Sequence, residues 1–119
     1  MPARPSDDER PDYLTPVIYH TLLALSQAPK HGYAISQEVE EVTDGRVVMG
    51  PGTLYGTLQR LRERGWIRET EEVEADAPHA DRRRYYELTA AGRTVLQGEA
   101  RRLAGAAELA RARAVLEGS

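Results

Sequence analysis

A chain of 119 residues can bury one modest hydrophobic core but not two. The absence of cysteine excludes disulfides, thiolate metal sites and cysteine nucleophiles, and no segment approaches the run of about 18 apolar residues that a membrane span needs. The formal net charge of −3 argues against nucleic acid as a partner only until its distribution is read. Arg46, Arg60, Arg62, Arg64 and Arg68 fall in one stretch and Arg82, Arg83, Arg84 and Arg93 in another, while the acids gather in residues 7–12, 38–44 and 69–76. A fold that brings the two arginine groups onto one face makes a positive patch on an acidic protein.

Residues 1–12 hold three prolines and several charges with few apolar groups, so they read as a mobile arm. They contain no apolar stretch of the kind a secretory signal needs, and the expected location is the cytoplasm. Thr15 followed by Pro16 is an N-cap with a first-turn proline, and Val17, Ile18, Leu22 and Leu25 recur at helical spacing, which predicts a first helix to about Ser26. Pro29 stops it. His31, Gly32 and Tyr33 open a second helix, with Ile35, Val39 and Val42 on its apolar side, ending near Thr43. Asp44-Gly45 is a turn, and Gly50-Pro51 starts a third helix in which Leu54, Leu58 and Leu61 share one stripe, closed by Gly65.

After Gly65 the period changes. Residues 66–73 and 83–88 have strand-like content and are separated by a polar loop over residues 75–81, which predicts a β-hairpin, or wing. Tyr85 and Tyr86 should point to opposite faces of their strand, one buried and one exposed. Trp66, beside Ile67, reads as core rather than as the wall of a ligand cavity. Thr89 caps a long last helix reaching about Leu116, in which Leu96, Ala100, Leu103, Ala107, Ala110 and Ala114 alternate by four and three. Such a stripe after a compact domain calls for a second subunit rather than for a helix folded back on its own domain, so the chain is expected to be a homodimer.

The expected fold is therefore mainly α with a small β-hairpin: a winged helix-turn-helix domain over residues 13–89 and a dimerisation helix over residues 90–119. With its leucines inward, the third helix turns Gly52, Thr53, Gly56, Gln59, Arg60 and Glu63 outward. Gly52 and Gly56 let a duplex come close to the backbone, and the first-turn N–H groups favour a phosphate. Thr53 can bond phosphate or a base edge, Gln59 and Arg60 reach bases, and Tyr55 on the flank reaches the DNA backbone. Glu63, where a recognition helix leaves the groove, should face solvent or pair with Arg60. Arg82 and Arg83 are read as DNA contacts of the wing, and Arg84 as a cross-strand partner of the wing's carboxylates.

Three blocks carry a resemblance: His31-Gly32-Tyr33-Ala34-Ile35; Gly50-Pro51-Gly52-Thr53-Leu54-Tyr55 with Leu58, Leu61 and Gly65-Trp66-Ile67; and Arg83-Arg84-Tyr85-Tyr86-Glu87-Leu88-Thr89-Ala90-Ala91-Gly92-Arg93. In kind and spacing they resemble the signature blocks of the PadR family of bacterial transcriptional regulators, over nearly all of residues 15–96. The resemblance implies a winged-helix domain, dimerisation through the C-terminal helix, and usually repression at a palindromic DNA operator relieved by a small molecule. The implied effector is small and hydrophobic or aromatic, held between winged domain and dimer helices. The single closing helix resembles the small class of the family. Gly50 stands where the family often has a serine cap, and Gly56 where it often has proline. Tyr33 resembles a phosphate-contacting position, although a tyrosine there serves equally as a core plug with its hydroxyl at the surface.

Other classes find less support. His20, His31 and His79 lie on separate elements with no triad or paired-carboxylate spacing, so no enzyme and no cofactor is expected. Asp76, His79 and Asp81 share one loop but read as solvated rather than metal-binding. The rival to DNA binding is a winged helix that docks a basic protein partner on its acidic surface.

Overall fold

The computed structural model describes residues 14–71 and 84–117. The expected arm over residues 1–12, the loop over 75–81 with Asp76, His79 and Asp81, and Arg82 and Arg83 lie outside the described residues. In chain order the elements are α1 (Pro16–Ala24), β1 (Lys30–His31), α2 (Gly32–Val42), α3 (Pro51–Glu63), β2 (Ile67–Thr70), β3 (Tyr85–Leu88) and α4 (Ala90–Ala112). The architecture is mostly helical with one small antiparallel sheet, a winged helix followed by a C-terminal helix.

Each helix begins where its capping chemistry puts it. The Ile18 N–H donates to Thr15 Oγ1 at 3.2 Å, with Pro16 in the first turn. The Ala34 N–H donates to His31 Nδ1 at 3.2 Å, and the Gly92 N–H to Thr89 Oγ1 at 3.1 Å. These bonds satisfy first-turn donors that the helix itself leaves unpaired. Among the described helices α3 alone starts without a side-chain cap, at Gly50.

The sheet has three strands rather than the two of a simple hairpin, in the order β1-β3-β2. β1 adds Lys30 opposite Tyr86 and His31 opposite Tyr85, while β2 pairs Ile67 with Leu88 through Thr70 with Tyr85. β3 is thus the central strand, and this corrects the expectation for its tyrosines: both are buried, Tyr85 at 5% and Tyr86 at 3% exposure. Tyr86 belongs to the main core, and Tyr85 meets the His31 ring edge-on at 5.5 Å between centroids.

Ile18, Leu22 and Leu25 of the α1 segment, Ile35 and Val39 of α2, and Leu54, Leu58 and Leu61 of α3 meet in one core with Trp66 and Ile67. Val42 is outside it, exposed at the last turn of α2. Gly65 adopts φ +76°, the left-handed conformation glycine takes most readily, and turns the chain from α3 into β2. At the other end of β3, the Thr89 N–H donates to the Trp66 carbonyl and the Thr89 hydroxyl to that of Gly65.

α4 departs from the expected continuous stripe. Leu96 is in the core of its own chain, and the far part of the helix stands clear: Leu103 and Leu109 are exposed. The helix ends at Ala112, and Ala114 lies past it at φ +59°, where the chain turns back so that the Val115 N–H donates to the Ala110 carbonyl. An alanine in the left-handed region cannot continue a helical seam. Facing inward with Leu96 is Glu99, buried, its carboxylate held by Arg102 at 2.7 and 2.8 Å. That hydrogen bond and charge, with a bond from the Leu14 N–H, hold its carboxyl below the ordinary carboxylate range against the opposing effect of burial.

Candidate nucleic-acid interface

The third helix shows two unlike faces. Leu54, Thr57, Leu58 and Leu61 are buried, whereas Gly52, Thr53, Gly56, Gln59, Arg60 and Glu63 are exposed, as the leucine stripe predicts. Burying three leucines contributes on the order of 2 kcal/mol each and fixes which side of the helix faces outward. At Gly52 and Gly56 nothing among the described residues, apart from the chain neighbours and the helix's own backbone, lies within 4 Å of where a Cβ would sit. Packing within the chain therefore does not call for glycine at either position, and each glycine costs the helix about 1 kcal/mol relative to alanine. On the outer surface of the first two turns Thr53 stands between two stretches of bare backbone, and the helix dipole adds positive potential there.

Around this surface stand larger side chains. Tyr55 is half exposed on the flank of α3, and its ring lies over the start of α2, where a Cβ added to Gly32 would meet it at 3.3 Å. Tyr33, on the first turn of α2, is 60% exposed and is no core plug; its hydroxyl accepts from Gln37 Nε2 at 3.0 Å. Gln59 donates to Glu63 at 3.3 Å, and Glu63 faces solvent.

On the other flank, α3 and strands β2 and β3 enclose an open cleft of about 590 Å³, whose walls include Tyr55, Gln59, Arg62, Glu69, Arg84 and Tyr86. Arg62 reaches Glu69 at 3.2 Å and Arg84 reaches the same carboxylate oxygen at 3.6 Å. The expected cross-strand role of Arg84 is met; the part of Arg62 was not foreseen. Arg68 pairs with Glu87 across the sheet at 2.6 Å. Burial, and secondly the Glu69 charge, raise the Tyr86 phenol above its usual range, so it stays a neutral donor. A larger open groove of about 740 Å³ runs along α2 past Glu40, Glu41 and Asp44. Its three carboxylates suit no phosphate, so the chemistry favours the smaller cleft. Among the described residues no His, Cys, Asp and Glu group could hold a metal, and no helix is long and apolar enough to cross a membrane.

A bare-fronted helix beside an arginine-bearing strand pair is the arrangement the three sequence blocks anticipate. The model of the PadR-like family of transcriptional regulators matches residues 21–98. The chain belongs to that family. The chain is similar to an uncharacterized 37.1 kDa protein in transposon TN4556 of Streptomyces fradiae, 42% identical over 83 residues, 70% of this chain. The match spans only 21% of that protein's length. Among solved structures, a PadR family transcription regulator from Clostridium difficile R20291 superposes with a TM-score of 0.67 at 21% identity, covering 82% of this chain and 96% of the other. Bacillus subtilis PadR, solved in complex with operator DNA, gives 0.55 at 21% identity, over 68% of this chain and 44% of that one. These similarities show the PadR winged-helix fold.

Proposed function

We propose that this PadR-family chain is a sequence-specific DNA-binding regulator that acts as a homodimer, represses transcription at a palindromic operator, and is released by a small hydrophobic or aromatic effector. The observation that carries the DNA reading is the pair of glycines, Gly52 and Gly56, on the outer face of α3. They weaken the helix and serve no contact among the described residues, so their use lies with something that approaches from outside. The same fold in a relative solved with operator DNA supports the reading. In it, the first turn of α3 seats a phosphate, Thr53, Gln59 and Arg60 read base edges, and Tyr33 and Tyr55 contact the DNA backbone. Arg82 and Arg83 clasp the backbone from the wing, and residues 13–89 form the DNA-binding unit.

Dimerisation falls to the part of α4 that its own domain leaves uncovered, around Leu103, Ala107 and Ala110. A two-fold pair presents two copies of α3, which suits half-sites about one helical turn apart. Selection of bound sequences from a random duplex pool tests the whole reading: a palindrome with half-sites roughly 10 base pairs apart is expected. If no duplex is retarded even at low ionic strength, or if Arg60→Ala combined with Arg83→Ala leaves binding unchanged, the proposal is wrong.

A further inference from the structure

Core packing of Leu58 and Leu61 against Ile67 and Tyr86 sets α3 beside the sheet, and at the edge of that contact Arg62 and Arg84 come together. One is on the recognition-helix candidate, the other immediately precedes the central strand of the sheet, and their guanidinium groups converge on a single oxygen, Glu69 Oε1, at 3.2 and 3.6 Å. Two arginines from two elements closing on one anionic oxygen form the geometry by which proteins hold a phosphodiester, since a guanidinium fork matches carboxylate and phosphate alike. The convergence stands at the mouth of the cleft between α3 and the wing, with the Tyr86 and Tyr55 side chains also lining it. All three charged groups are more than a third exposed. Surface ion pairs of this kind contribute little to stability, so a competing anion can open them at small cost.

We infer that Arg62 and Arg84 form a phosphate clamp for the DNA backbone between α3 and the wing, and that Glu69 occupies this clamp as an internal counter-ion while DNA is absent. The inference rests on the DNA-binding reading and adds to it a site and a competitor. On binding, a backbone phosphate takes the place of the Glu69 carboxylate between the two guanidiniums. The exchange is of one negative group for another, so the arginines are never left without a counter-charge. Glu69 thereby lowers affinity for duplex of any sequence and leaves discrimination to Thr53, Gln59 and Arg60.

The test compares the full chain with Glu69→Gln, with Glu69→Gln combined with either Arg62→Gln or Arg84→Gln, and with Glu108→Gln. The last removes the same charge on α4, where Glu108 pairs only with Arg111 among the contacts recorded for it. The probe is a labelled mixed-sequence duplex titrated over a range of salt concentrations. Glu69→Gln is expected to bind roughly three- to tenfold tighter at low salt, with a log–log salt slope steeper by about one unit, and each double variant should lose that gain. Glu108→Gln should match wild type. The inference is overturned if wild type binds but Glu69→Gln gains nothing, if the gain survives in both double variants, or if Glu108→Gln gains as much. If neither wild type nor Glu69→Gln binds duplex at any salt, the DNA reading itself falls, and the clamp with it.

Discussion

Gly92→Ala should be the most damaging single-methyl change in this protein. A Cβ at position 92 would run into the Trp66 carbonyl oxygen and lie 2.8 Å from its carbon. Both are backbone atoms, and the same carbonyl accepts from the Thr89 N–H at 3.0 Å, so neither partner can swing aside as a flexible side chain would. The first turn of α4 must instead move off β2, straining the Thr89 cap and the bond from Thr89 to Gly65. Overpacking of a tight contact costs about 1–3 kcal/mol and a lost cap about 1 more, which together make roughly 2–4 kcal/mol. For a domain of this size that lowers Tm by roughly 10 °C or more. Thermal melts followed by circular dichroism measure it, with Gly98→Ala on the same helix as the control. Nothing lies within 4 Å of a Cβ at Gly98. That variant should melt at or slightly above wild type, because alanine favours an open helical site by about 1 kcal/mol. If Gly92→Ala melts together with Gly98→Ala, the account of this contact is wrong.

Leu103→Asp should leave the fold intact, since Leu103 is already 40% exposed, and convert the protein to a monomer in sedimentation; a wild-type monomer at micromolar concentration would refute the dimer. Glu99 has a folded-state pKa below its unfolded value, so its contribution is present above the ordinary carboxylate range and is lost as pH falls through the folded value. Glu99→Gln should therefore melt below wild type at neutral pH, and the gap should close on acidification; a pH-independent gap would show that the Arg102 pairing is not its origin. Thr89→Val keeps the shape but removes a hydroxyl that both caps α4 and reaches Gly65, and should cost about 1–2 kcal/mol by denaturant unfolding.

The helices were legible in the sequence because their caps are local: Thr15-Pro16, Gly50-Pro51 and Thr89 announce their starts with chemistry that needs no tertiary context. β1 was not, because two residues, Lys30 and His31, have no alternation to read and are a strand only because the edge of β3 lies beside them. That unseen strand also explains why neither tyrosine of β3 faces solvent, since His31 on β1 sets its ring against Tyr85 while Tyr86 enters the core. Along α4 the four-three spacing is the same at Leu96 and Leu103, yet the first serves its own core and the second does not. Periodicity gives the stripe; how far the domain extends along it depends on packing. Among the expected DNA contacts, the outward set on α3 followed directly from the leucine stripe. The convergence of Arg62 with Arg84 on Glu69 did not, because it depends on the angle between a helix and a sheet.

The junction around Thr89 has a mechanical meaning. Its amide and hydroxyl tie the head of α4 to two successive carbonyls, Trp66 and Gly65, where α3 hands over to β2, and Gly92 lets the helix sit flush against them. There is no linker and no hinge at this point, so the third helix and the helix that leaves the domain are joined like two arms of one bracket. In a two-fold pair, a few degrees of rotation between the α4 helices would become a change in the separation of the two α3 helices at the far end of the bracket, with no slack to absorb it.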